Sequence, residues 1–302
     1  MLETEELGNR TGQATNVGIY LNIMKPVLYR AGRVLRSALF IVLLSACAGN
    51  PEEASPEGRA GIPEPEQLFD DSGLTLCTRI RTPRNYARVP VAAGSFAEFL
   101  RNQPLKPAGT PVRYYDGREK PAAGVYCAVI DRPLRPGDIE QCADAVIRLR
   151  AEYLYGQKRY AEIGFVFVHD GRLHRYVDFA GGDRSYQGFV NYLDFVFDHA
   201  NTVSLYNQLE KVSNLADIRI GDVFIQKSRS INHAIIVMDM AVAHDTGHKI
   251  FLLAQSYMPA QETQIIVNPN RPDISPWYSA DFKEVLLTPE WRFYPALDLR
   301  RF

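Results

Sequence analysis

Cys142, His233 and Gln255 are the residues of this chain whose types and order could carry nucleophilic catalysis. A thiol becomes a nucleophile when a base takes its proton, and the base needs a polar partner to hold its ring in one tautomer. Cys142 lies in "GDIEQCADAVIRLRAEYLYGQ", where Asp138 and Gln141 have capping-box spacing. That spacing puts the thiol about four positions into a helix, where the dipole and unpaired N–H groups favour a thiolate below the ~8.5 of a free thiol. His233 opens the apolar run "HAIIVMDM" and Gln255 closes "KIFLLAQ". A hairpin turning at "AHDTGH" can bring that amide beside that imidazole. The same residues also suit a plain core. Ile139, Cys142, Val146, Leu149 and Tyr153 form one apolar stripe, and a histidine at a strand edge is often structural.

The elements that must position these residues alternate in type along the chain. Strands are expected at 73–81, 112–115 and "GVYCAVI", and a short helix at 94–103. The helix carrying Cys142 is expected over 138–156. Asp170-Gly171 marks the turn of a hairpin over 163–179, and 189–212 has helical periodicity that one helix or two can carry. "GDVFIQK", "NHAIIVMDM" and "KIFLLAQSY" read as three successive strands, and the tail 268–302 as irregular. The fold class is α+β, a single domain over 73–302.

"GDVFI…HAIIV" resembles the sheet of the NlpC-type and CHAP cell-wall peptidases and amidases, in which a Gly-Asp strand precedes the catalytic histidine strand. The resemblance implies a papain-like domain: an N-terminal Cys helix packed on an antiparallel sheet, with inserted helices. It makes Cys142 the nucleophile, His233 the base and Gln255 the orienting residue. The sequence departs from that pattern around Cys142, in the 91-residue gap to His233 and in using Gln as third member. "QCADAVIRLRAEYLY", "GDVFI", "HAIIV", "FLLAQSYMPAQ" and "SPWY" more closely resemble a bacterial family, domain of unknown function 4846, over most of 75–302. That family implies a domain and no activity.

The N-terminus speaks to location. From Met24, the basic residues Lys25, Arg30, Arg33 and Arg36 precede the apolar "ALFIVLL" and then Leu44-Ser45-Ala46-Cys47, which resembles the bacterial lipobox. The expectation is a signal peptide over 24–46, lipidation of Cys47, and a flexible Pro/Glu/Gly-rich tether over 47–72. Residues 1–23 then form an upstream extension, with Met24 as the expected start. Ala48, in place of Asp, points to the outer rather than the inner membrane by resemblance to enterobacterial sorting. The membrane, through the lipid on Cys47, is one expected partner; peptidoglycan or another envelope peptide is the other.

The bulk composition narrows the remaining classes. The chain has 302 residues, 46% hydrophobic, with net charge −1 and no basic tract, so nucleic acid is not an expected partner. No run reaches the roughly 20 apolar residues of a membrane span. With Cys47 acylated, Cys77, Cys127 and Cys142 remain: Cys77 and Cys127 either pair or stay as buried thiols. No cofactor is expected. His244 with His248, and His169 with His174, flank turns and read as turn residues, so no metal is expected either.

Overall fold

The computed structural model describes residues 67–302 apart from 122, 123, 229, 230 and 283. The signal peptide, Cys47 and most of the tether lie outside the described residues. Leu68 and Phe69 already pack against the domain, so its contacts begin before residue 73. In chain order the elements open with α1 (Leu76–Arg79), β1 (Tyr86–Arg88), α2 (Phe96–Arg101), β2 (Tyr126–Val129) and α3 (Cys142–Gly156). The hairpin β3 (Gly164–Val166) and β4 (Leu173–Arg175) leads into α4 (Tyr176–Ala180), α5 (Tyr186–His199) and α6 (Thr202–Gln208). Then come β5 (Glu210–Lys211), β6 (Val223–Gln226), β7 (His233–Ala243), β8 (Lys249–Gln255) and β9 (Gln264–Ile266). The tail holds β10 (Tyr278–Ser279), β11 (Leu286–Leu287), β12 (Arg292–Phe293), α7 (Pro295–Asp298) and β13 (Leu299–Arg301).

An antiparallel sheet in the order β2-β9-β8-β7-β6-β13-β5 forms the centre, with β1 added to the far half of β7 and β10 to β8. β7 is buried along nearly its whole length because both of its faces are covered. Ala234, Ile236 and Met238 join the core under α3, α5 and α6, while Ile235 and Val237 join a second core under the tail. Past the register shift between Val237 and Asp239 the faces exchange: Met240 meets the tail and Ala241 the helices. One extra residue inverts a period of two, so this bulge changes which face each half of β7 presents.

Several elements differ from expectation. The stretch around Cys77 is a helical turn, because the side chain of Thr78 accepts from the Thr75 N–H at 2.9 Å and closes a cap. Residues 112–115 contribute isolated bridges only. The tail supplies β13, which enters the sheet between β6 and β5. Cys77 and Cys127 are both free thiols, bonded to Asn102 Oδ1 and the Ile265 carbonyl. Asp222, of the Gly-Asp pair, is buried and receives both Nε and Nη2 of Arg301 at 2.6 and 2.7 Å, which ties β13 to β6.

Candidate active site

Cys142 is the first residue of α3, one turn closer to the helix start than the Asp138 spacing implies. The carboxylate of Asp138 is taken by the Ala260 N–H at 2.6 Å and the Gln141 amide at 3.2 Å, so it caps nothing. Asp144 caps instead, accepting from the Gln141 N–H at 3.0 Å. The loop before the helix is held by buried Glu140, which binds Arg148 at 2.6 Å and the Arg135 N–H at 3.1 Å. Arg148 is therefore a buried ion-pair partner.

The thiol is 7% exposed, and its partner is the Thr202 hydroxyl at 3.8 Å, at the start of α6. Burial pushes the thiol pKa up; the N–H of Ala234, the Thr202 hydroxyl and the N–H of Ala143 oppose that, and nearby Asp144 adds to it. The helix N-terminus alone would favour the thiolate, but desolvation is the larger effect here. The expected low-pKa thiol is thus replaced by a protonated one.

His233 is the first residue of β7 and is 2% exposed. Its Nε2 meets Gln255 Oε1, at the end of β8, at 3.1 Å. Burial drives the imidazole pKa down to about 4, opposed by Gln255 and reinforced by Lys120. The ring is walled by Tyr257, Trp291 and Phe293, with centroids 4.8, 5.0 and 6.0 Å away. Trp291 is fixed there by its Nε1–H bond of 2.8 Å to Gln226, the residue opposite His233 across the sheet.

The tautomer follows from a chain of three hydrogen bonds. Lys120 Nζ donates to Glu290 Oε2 at 2.6 Å, and Gln255 Nε2 donates to the same oxygen at 2.7 Å. A carboxylate beside an ammonium only accepts, so the amide nitrogen must face Glu290 and the amide oxygen must face His233. His233 then carries its proton on Nε2 and leaves Nδ1 as the basic nitrogen. Among the described residues Cys142 and His233 share no direct hydrogen bond. What joins them is Ala234: its N–H favours the Cys142 thiolate, and it is the residue next to His233. The structure thus pairs His233 with Gln255 and sets Cys142 against the backbone of the residue that follows His233, while the His233 ring itself packs on Trp291 and Phe293 of the tail. Glu290, Lys120, Trp291 and Thr202 escaped the sequence reading because their partners are far away in the chain.

A surface cleft of about 630 Å³ is lined by Gln226, Glu290 and Trp291 among others, but by neither Cys142 nor His233. It abuts the shell of the site and not its sulfur.

Matching against family models finds the domain of unknown function 4846 over residues 76–186 and 176–301. The chain belongs to this family. The two matched segments of the 4846 domain together include Cys142, His233, Gln255 and Glu290. No curated protein and no solved structure matches the chain.

Asp144 provides a pH test of this site. It is 7% exposed, Oδ1 has no partner among the described residues, and burial raises its pKa to about 8, with Glu140 adding to the rise and Gln141 opposing it. An unfolded Asp titrates near ~3.9. Between these values the folded chain holds a proton that the unfolded chain releases, so stability falls as pH rises through that window. Asp144→Asn is expected to remove this contribution while that of His233 stays in both proteins: urea midpoints of variant and wild type should converge near pH 4 and separate as pH rises, with the variant more stable at pH 8. Parallel midpoints from pH 4 to 8 would refute the assignment.

Proposed function

We propose that this 4846-domain protein is a lipid-anchored protein of the bacterial cell envelope that hydrolyses an envelope amide, such as one in peptidoglycan, on a papain-like fold. One observation carries the reading. Cys142 begins α3 beside the N–H of Ala234, while the neighbouring His233 has its Nε2 held by Gln255. In this reaction His233 Nδ1 takes the thiol proton as sulfur adds to the carbonyl carbon. The proton passes to the leaving amine as the C–N bond breaks, and water then cleaves the thioester. A neutral thiol and a neutral imidazole at rest, rather than an ion pair, follow from the upward shift of one and the downward shift of the other.

A second reading rests on burial. A thiol that is 7% exposed and shifted upward suits a non-catalytic module that keeps the fold for binding or scaffolding. The two separate when the full-length protein in detergent is incubated with purified sacculi and released fragments are quantified. The enzyme reading expects release that Cys142→Ser abolishes. No release, together with a thiol that iodoacetamide labels only after unfolding, establishes the second reading.

The anchor proposal rests on the sequence around Cys47 and places the protein at the periplasmic face of the outer membrane. Cys47→Ser is expected to leave an unprocessed precursor that takes up no labelled palmitate. Normal-sized, lipid-labelled product from that variant would refute it.

A further inference from the structure

We propose that His169, Asp170 and His174 form a binding site for a borderline divalent metal ion of the Zn²⁺ class, apart from the Cys142 corner. The spacing His-Asp-x-x-x-His reads as turn residues, but the β3–β4 hairpin folds both imidazoles back onto one carboxylate. Asp170 Oδ1 accepts from the Arg172 N–H at 2.9 Å, which fixes the carboxylate. Its other oxygen, Oδ2, lies 2.9 Å from His174 Nε2 and 3.6 Å from His169 Nε2. One donor atom from each residue lies within 4.8 Å of the other two. Zinc bonds of ~2.0–2.1 Å in tetrahedral geometry set donors about 3.4 Å apart. The two Asp170 separations bracket that value.

The neighbours organise the site further. His174 stacks on Phe167 at 3.9 Å and 10°, which locks the ring plane. His169 is 59% exposed at its side chain and free to close on an ion. His199, at the end of α5, stacks on the same Phe167 and stands 5.7 Å from the His169 ring. Its Nδ1 bonds the Phe195 carbonyl at 2.8 Å, the outer hydrogen bond that metal-binding imidazoles use to present Nε2. Three of the six histidines in the chain thus surround one phenylalanine. Two imidazoles and one carboxylate select Zn²⁺, Cu²⁺ or Ni²⁺ over Mg²⁺ or Ca²⁺, and the fourth position stays open for water. An ion there would clamp the hairpin turn.

The test is calorimetric titration of chelator-treated full-length protein with ZnCl2 and, separately, MgCl2 at neutral pH. The expected result is one Zn²⁺ per chain and no Mg²⁺ heat. Zn²⁺ affinity should fall at least tenfold in His169→Ala and in Asp170→Asn, and stay unchanged in His244→Ala and Cys142→Ser. Zn²⁺ should also raise the unfolding temperature of wild type but not of Asp170→Asn, because an ion bound only by the folded state stabilises it. His169 is exposed, so its replacement leaves the fold intact and the binding result interpretable. No stoichiometric Zn²⁺ binding, or binding indifferent to His169→Ala and Asp170→Asn, overturns the proposal.

Discussion

His233→Ala is expected to lower kcat/KM for amide cleavage by about 10²–10⁴-fold, the usual contribution of a positioned general base. The loss should be this large because the groups that meet the sulfur, Thr202 and the N–H groups of Ala234 and Ala143, only donate to it or share with it, and the nearby Asp144 carboxyl is itself kept protonated by burial. The pH profile is the sharper readout. The imidazole is held near pKa 4 by burial, so the acidic limb of kcat/KM should lie well below the ~6.5 of a free imidazole. Glu290→Gln should cost about tenfold, the scale of one hydrogen bond to a charged partner. A glutamine at 290 can accept as well as donate, so it no longer forces the Gln255 amide oxygen toward His233. The order of loss should be His233→Ala, then Gln255→Ala, then Glu290→Gln. Wild-type rates in His233→Ala, or an acidic limb at the ordinary imidazole value, would remove His233 from the chemistry.

Where chemistry and backbone periodicity are local, the sequence was legible. The Asp170-Gly171 turn, the apolar runs of β6, β7 and β8, and the pair α5 and α6 all carry their signal within a few residues. His233 and Gln255 could be placed together because a two-strand hairpin is the only element between them, and their 3.1 Å contact is its consequence. The start of α3 was misjudged for a tertiary reason. Asp138 has the right spacing to cap, but the Ala260 N–H, from beyond β8, claims its carboxylate, and the cap moves to Asp144. The alternation in "LTLCTRI" imitates a strand, and the Thr75–Thr78 cap decides for a helical turn. β13 cannot be read locally at all, since its partners β6 and β5 define it. The thiol pKa was misjudged in the same way: the helix dipole is visible in sequence, whereas the burial that outweighs it is not.

The largest stability loss is expected at Asp239, which no motif announces. Asp239 is fully buried at the bulge of β7, and its two oxygens face two arginines: Arg88 Nε at 2.6 Å and Arg101 Nε at 2.7 Å. Oδ1 also accepts from the Met240 N–H at 2.8 Å, which holds the bulge closed. Arg88 is the last residue of β1 and Arg101 the last of α2, and the 2.8 Å bond from Arg101 to the Val89 carbonyl ties the two together. One carboxylate therefore joins three elements at the point where β7 exchanges its faces. Asp239→Ala leaves two largely buried guanidinium groups without a counter-charge, so it should cost about 3–5 kcal/mol, read from urea unfolding. Asp239→Asn keeps the volume and the Met240 bond but loses the charge, and should fall between Ala and wild type. The triple variant Arg88→Met, Arg101→Met, Asp239→Leu should recover much of the loss, because removing a whole buried ion cluster is less costly than removing one member. His233 and Gln255 lie on the other side of the bulge, so any Asp239 variant that still folds should keep the acidic limb of its pH profile in place. A loss below about 1 kcal/mol in Asp239→Ala would mean that water reaches the arginines and that packing alone holds the bulge.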